Sequence, residues 1–295
     1  MMDCPICSTP DPRPVGFNSR QGKWSFEILE CAACGHRYVG TPPDDPTLAR
    51  LYDEYYAGDR RQEKPVRTGW RDRALVRTLV PGLPPGARVL EIGCNFGETL
   101  LAFPETYRLE GIDLSASAAR AAAANPRLEI RQGFFEREDY PRSAYDCVIA
   151  LAVIEHIREP VAFLRKAAAV LRPGGTLVLM TGDYGSWHAR HQGQAWSLYH
   201  SVGHLHFFSM ESLRTALERA GLAPREWLWA GPTPLTSRLP RPLARALHCQ
   251  TTSLLVPGFQ ARRRLGSNLY SWSVAQGGRS AAAAREAGAG LSLAG

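Results

Sequence analysis

Val89-Leu90-Glu91-Ile92-Gly93-Cys94-Asn95-Phe96-Gly97 is an apolar run leading straight into a turn with glycine at two positions, and helix-forming residues 98–103 follow. A strand that ends this way brings its backbone up to whatever lies beyond the sheet edge, because glycine has no side chain to hold a ligand off. Asp113 closes the next apolar run, twenty residues after Gly93. A carboxylate there can accept hydrogen bonds from two ribose hydroxyls. Together these signals point to an open α/β sheet holding a nucleoside at the C-terminal ends of its strands.

The rest of the chain agrees with that frame. Short apolar runs at 88–92, 109–112, 128–131, 147–151 and 176–180 alternate with helical segments at 116–124 and 161–171, the pattern of a parallel sheet covered by helices. Ser115 suits the N-cap of the first helix, and Pro160 opens the second. A helix at 211–220 stops at Gly221, and strands at 226–229 and 268–275 complete the sheet. Upstream, 48–56 is aromatic and helical, 58–67 is a polar basic loop, and a helix over 71–80 stops at Pro81-Gly82. Residues 231–265 form a Pro- and Arg-rich insertion of the length used for lids or interfaces. The Ala- and Gly-rich tail 277–295 reads as disordered.

Glu91 selects among nucleosides. A carboxylate ahead of the turn repels a pyrophosphate but suits a cation, and S-adenosylmethionine carries a sulfonium and an amino group.

Glu91-Ile92-Gly93-Cys94-Asn95-Phe96-Gly97, Gly111-Ile112-Asp113-Leu114-Ser115, Tyr145-Asp146-Cys147-Val148-Ile149, Val153-Ile154-Glu155-His156-Ile157 and Leu171-Arg172-Pro173-Gly174-Gly175 occur in that order, ahead of His204-Leu205-His206-Phe207-Phe208-Ser209. The set resembles the class I S-adenosylmethionine-dependent methyltransferases, in particular the small-molecule group containing the ubiquinone-biosynthesis O-methyltransferases. The resemblance implies a Rossmann-like seven-stranded sheet with helices on both faces and its last strand antiparallel. It further implies that Gly93 and Gly97 line the methionine moiety, Asp113 the ribose, and Phe134 or Phe135 the adenine, with Glu91, Cys94, Asn95, Phe96, Leu114 and Leu151 completing the cofactor set. The sequence departs from the family at Asn95 and Phe96, where a further small residue is common. It departs again at Ala152, where metal-dependent relatives carry a carboxylate, so no catalytic metal is expected.

Cys4-Pro5-Ile6-Cys7 and Cys31-Ala32-Ala33-Cys34 are separated by 23 residues, a spacing at which four thiolates converge on one tetrahedral ion. Four protein ligands leave no open position, so the expected zinc is structural. A small zinc ribbon therefore occupies 1–40, a Pro-rich linker and helical cap 41–86, and the methyltransferase domain 87–276. The ribbon resembles that of sugar C-methyltransferases, a family with a further C-terminal domain for which this chain has no room.

Methyl transfer is an in-line displacement, so the protein must align the acceptor, exclude water and remove a proton where the acceptor needs it. Histidine suits the last task. His156, His204 and His206 are the candidate bases, with Asp183, Tyr184 and His200 nearby in sequence. The bland alternatives are that His156 caps a helix and that His206-Phe207-Phe208 packs into the core. Tyr52, Tyr55 and Tyr56 share a helical face, as core packing or as a lid. Cys94 and Cys147 read as packing thiols.

A formal charge of +7 and a pI near 9.2 arise mostly from arginines scattered along the chain, denser at 238–245 and 262–264. The ribbon has no basic stripe, which argues against a nucleic-acid partner, although an RNA methyltransferase remains the first rival. The second is a non-catalytic cofactor-binding module. The longest apolar run, 148–154, cannot span a bilayer, and a cytoplasmic protein acting on a small molecule is expected.

Overall fold

The computed structural model describes residues 3–21, 24–44, 46–47, 68–79, 82–116, 125–201, 203–230 and 268–275. In chain order the strands are β1 (Arg13–Gln21), β2 (Trp24–Glu30), β3 (Arg37–Val39), β4 (Arg88–Ile92), β5 (Arg108–Asp113) and β6 (Leu128–Gln132). They continue as β7 (Tyr145–Leu151), β8 (Leu171–Gly182), β9 (His206–Phe207), β10 (Leu222–Ala230) and β11 (Asn268–Ala275). The helices are α1 (Trp70–Leu79), α2 (Pro160–Val170), α3 (Trp187–Gln192) and α4 (Met210–Arg219).

Seven strands form one sheet in the order β10-β11-β8-β7-β4-β5-β6. The β4, β5, β6, β7 and β8 pairings are parallel, while β11 runs antiparallel to both β8 and β10. The period of two along each strand divides the core. Leu90, Val148, Ala150, Leu177 and Leu179 face α2 and α4, whereas Val89, Cys147, Ile149 and Val178 face Val76 and Leu79 of α1. Helices thus cover both faces. Pro160 occupies the first turn of α2, and a reciprocal Ser209–Ser212 capping box opens α4.

Two expectations needed correction. Residues 98–103 make no α-helix, only a 3-10 turn over Leu100–Ala102, because Pro104 disfavours helical backbone at Phe103 and six residues do not nucleate a helix. The fifth strand starts at Leu171 instead of 176. Leu171 pairs with Tyr145 before a register shift places Thr176 opposite Cys147, and the Pro-Gly-Gly between them forms that irregularity.

The ribbon is not a separate body. Its strands continue into the second sheet, β1-β2-β3-β9, through the antiparallel pairing of Arg37 with Phe207 and Tyr38 with His206. Cys4, Ile6, Leu29, Cys31 and Tyr38 share one apolar cluster with Phe208 and with Leu213 and Ala216 of α4. The expected segments 48–56, 58–67, 117–124, 231–265 and 277–295, with Tyr52, Tyr55 and Tyr56, lie outside the described residues. Among the described residues no helix is long and apolar enough to cross a membrane.

Candidate active site and zinc centre

The turn after β4 has the conformation its glycines allow. Gly93 and Gly97 take φ of 70° and 83°, and Asn95 takes 50° between them. Asparagine is among the few L-residues that tolerate this region, so Asn95 supplies the backbone shape of a third glycine. A β-carbon on Gly93 would lie 2.5 Å from Val153 Cγ2, and one on Gly97 2.5 Å from Leu128 Cδ1. Asp113 braces the turn, its two oxygens accepting from the Asn95 and Ser115 amides at 2.8 and 2.9 Å. Each oxygen keeps a second lone pair for a further donor.

Glu91 lies beneath the turn, 3% exposed, and its Oε2 has no hydrogen-bond partner among the described residues. Burial holds this carboxyl well above the usual carboxylate range. A buried acceptor of this kind costs free energy until a donor or cation meets it, which suits a ligand carrying positive charge. Cys94 packs inside against Gly111, whose β-carbon position is 2.6 Å from the sulfur, and Phe96 is likewise buried. Leu114 and Phe134 stand exposed, with Arg137 4.3 Å over the Phe134 ring. Phe135 is buried against Phe163, which leaves Phe134 as the aromatic available to a planar base. Leu151 ends β7, half-buried.

Beyond β7 the chain brings together Glu155, His156 and His204. A Glu155 carboxylate oxygen and ring nitrogens of both histidines lie within 4.8 Å of one another. His156 Nδ1 donates to the Gly203 carbonyl at 2.8 Å, and His204 Nδ1 donates to the Leu198 carbonyl at 3.1 Å. Since a carbonyl only accepts, each neutral ring keeps its lone pair on Nε2. The rings meet edge to face at 4.7 Å. Burial lowers His156 to about 4 and His204 to about 3. The same burial raises Glu155, which accepts from Thr181 Oγ1 at 2.9 Å, to about 7. The sequence named only the histidines, yet Glu155 is the group whose pKa best matches neutral proton transfer.

His206 does not join them as a candidate base. Its Nδ1 meets His36 Nε2 at 3.0 Å, backbone carbonyls at 157 and 158 bond the same ring, and it is buried. Both nitrogens are spent on structure. Tyr184 is also structural, its hydroxyl donating to the Gly35 carbonyl, and Asp183 accepts from the Gly185 amide at 2.8 Å. His200 turns to the Gln194 carbonyl. His36 and Arg37 were missed by sequence reading, since His36 meets Ser212 and His206, and Arg37 meets Tyr199, across 162 residues or more, although Arg37 also meets the nearby Glu30.

The four ribbon cysteines fit one ion. Cys4 and Cys34 sulfurs are 3.6 Å apart, Cys7 and Cys31 3.4 Å, and all four lie within 4.8 Å. A zinc tetrahedron with bonds of about 2.3 Å has sulfur–sulfur edges of about 3.8 Å, and a disulfide would need about 2.05 Å. Gly35, at φ 67°, donates its amide to the Cys31 carbonyl at 2.9 Å, closing the second knuckle.

Residues 61–226 match the family described as a methyltransferase domain. The chain belongs to the class I S-adenosylmethionine-dependent methyltransferases. Within them it is 39% identical over 104 residues to the ubiquinone biosynthesis O-methyltransferase of Bradyrhizobium sp. (strain ORS 278), covering 32% of this chain and 40% of that protein. The chain thus spans less than half the length of that relative. It is 32% identical over 151 residues to the highly reducing polyketide synthase pkhB of Emericella nidulans, 44% of this chain and 6% of that one. Among solved structures, the Burkholderia thailandensis 1,6-didemethyltoxoflavin-N1-methyltransferase, with S-adenosylhomocysteine bound, superposes with a TM-score of 0.52 at 15% identity, over 91% of this chain and all of that one. The cyclase SpnF superposes at 0.50 with 18% identity, over 78% and 93%, so the shared fold alone does not specify the reaction.

Proposed function

We propose that this protein transfers the methyl group of S-adenosylmethionine to a small-molecule acceptor, a sugar or a natural-product intermediate, without a metal in the chemical step. The observation that carries the reading is the Glu91 oxygen under the Asp113-braced turn, which has no partner among the described residues. It awaits positive charge at the point where a sulfonium nucleoside would lie. When bound, that cofactor supplies an electrophilic methyl group. Glu91 and the 93–97 turn hold its methionine end, Asp113 its ribose, and Leu114 with Phe134 its adenine. Leu151, Cys94, Asn95 and Phe96 shape the remaining wall. The acceptor proton passes to His204 or His156, and Glu155, within 4.8 Å, stabilises the imidazolium that results. Residues 1–40 are the zinc ribbon, 41–86 the linker and cap, and 87–276 the catalytic unit with its insertion at 231–265. The ubiquinone-biosynthesis and didemethyltoxoflavin methyltransferases it resembles support a small-molecule acceptor.

Calorimetry with S-adenosylmethionine and S-adenosylhomocysteine tests the first half. Saturable heat is expected, with Asp113→Ala weakening affinity at least tenfold, about 1.4 kcal/mol. No heat with either ligand ends the reading. Labelled methyl transfer into fractionated metabolites tests the second half. His204→Ala should lose transfer while keeping cofactor affinity; wild-type turnover in that variant, or a strict requirement for an added divalent cation, overturns the base role.

A further inference from the structure

We propose that the ribbon metal positions the proton-handling groups: occupancy of Cys4, Cys7, Cys31 and Cys34 fixes the 204–209 segment beside Glu155, while the cofactor turn is held independently. Its catalytic meaning rests on the acid–base reading of Glu155, His156 and His204 above.

The path is continuous. The second knuckle closes through Gly35 onto Cys31, and the Cys31 amide donates to the His36 carbonyl at 2.9 Å, so the metal sets where β3 begins. The Val39 amide then donates to Leu205, and the Leu205 amide to Glu155, at 2.9 and 2.8 Å. Leu205 therefore ties the ribbon on one side to Glu155 on the other, and His204 is its chain neighbour. Strand β9 is only two residues long and lies at the edge of its sheet, with β3 beside it. Its one ladder among the described residues is with β3, while the adjoining Phe208 makes a single bridge to Asp183 and accepts from the Tyr184 amide at 3.0 Å. A three-residue strand such as β3 holds little order by itself, so the metal adds to the apolar packing of Ile6, Leu29 and Tyr38 against Phe208 and α4 in fixing where it lies.

Side chains reinforce the ladder. His36, fully buried, bridges His206 at 3.0 Å and Ser212 at 3.4 Å. Carbonyls on the far side of His206 only accept, so one proton order satisfies the two rings: His36 donates to His206, and His206 to the backbone. Arg37 donates to the Tyr199 hydroxyl at 2.8 Å and covers the Tyr184 ring at 4.3 Å. By contrast, the bonds that shape the 93–97 turn come from Ile112, Asp113 and Cys94, none of them in the ribbon.

The test uses the full chain with zinc content measured. Removing zinc with a chelator should raise hydrogen exchange at the Val39 and Leu205 amides at least tenfold and leave the S-adenosylhomocysteine Kd within twofold. Coupling is reciprocal. Tyr184→Phe, which deletes the hydroxyl that meets the Gly35 carbonyl and Ser209, should therefore release zinc at roughly fivefold lower chelator. Unchanged protection of Leu205 in zinc-free protein, a purified chain without zinc whose Leu205 is protected, or loss of cofactor affinity together with that protection each overturns the proposal. If S-adenosylhomocysteine never binds, the functional reading fails, while the exchange result at Leu205 is still decided.

Discussion

Gly93→Ala tests the physical basis of the cofactor turn. The residue sits at φ 70°, where an L-side chain costs about 1–2 kcal/mol. Its new methyl would meet Val153 Cγ2 at 2.5 Å, and overpacking of this kind costs about 1–3 kcal/mol. The two costs sum to about 2–5 kcal/mol, a large share of the roughly 5–15 kcal/mol of a typical domain. With a urea m-value of about 3 kcal/mol/M the unfolding midpoint should fall by about 1 M. Val153→Ala in the same chain removes the collision but not the dihedral cost, so the double variant should recover about 1 kcal/mol or more relative to additivity. Because the methyl also displaces the turn, S-adenosylhomocysteine affinity should fall at least tenfold. A Gly93→Ala protein within about 0.5 kcal/mol of the parent, with unchanged affinity, would refute the reasoning.

Other outcomes follow from buried charge. His156 and His204 are depressed to about 4 and 3, so their contribution is complete above 6.5 and lost as pH falls toward those values. Together they cost about 4 kcal/mol at pH 5. Glu155, raised to about 7, has the opposite sense: its contribution is present below about 4.5 and lost as pH rises through 7, so on acidification it offsets about half of that cost. Denaturation at pH 7.5 and pH 5 should therefore show a steeper acid loss in Glu155→Gln than in the parent, and an equal or shallower loss contradicts the assignment. If a cationic ligand ionises Glu91, calorimetry in buffers of differing ionisation enthalpy should detect proton release in the parent and none in Glu91→Gln. Phe134→Ala should weaken S-adenosylhomocysteine by about 1 kcal/mol or more without lowering stability, since the ring is exposed; unfolding instead would mark it as core.

The sheet could be read from sequence because its signals are local. The runs at 88–92 and 268–275 coincide with β4 and β11, and the Gly93–Asp113 spacing survives as a real contact through Asn95. Where the sequence misled, a neighbour in space decided. The 98–103 segment lost its helix to Pro104, and His206 became an anchor because His36, 170 residues away, faces it. No spacing rule reports such a pair. Glu155 was visible beside His156, but only burial next to Thr181 makes it titrate near neutrality.

Strands β10 and β11 close one edge of the large sheet. Ala230 pairs with Asn268, and Asn268 in turn sits opposite Gly182 at the end of β8. The chain thus leaves β10 at Ala230 and enters β11 at Asn268, adjoining positions on the rim where Glu155, His156 and His204 meet. Loop closure grows slowly with length, about 0.6 kcal/mol per doubling, so the scaffold can accept different segments at this port with little effect on its folding.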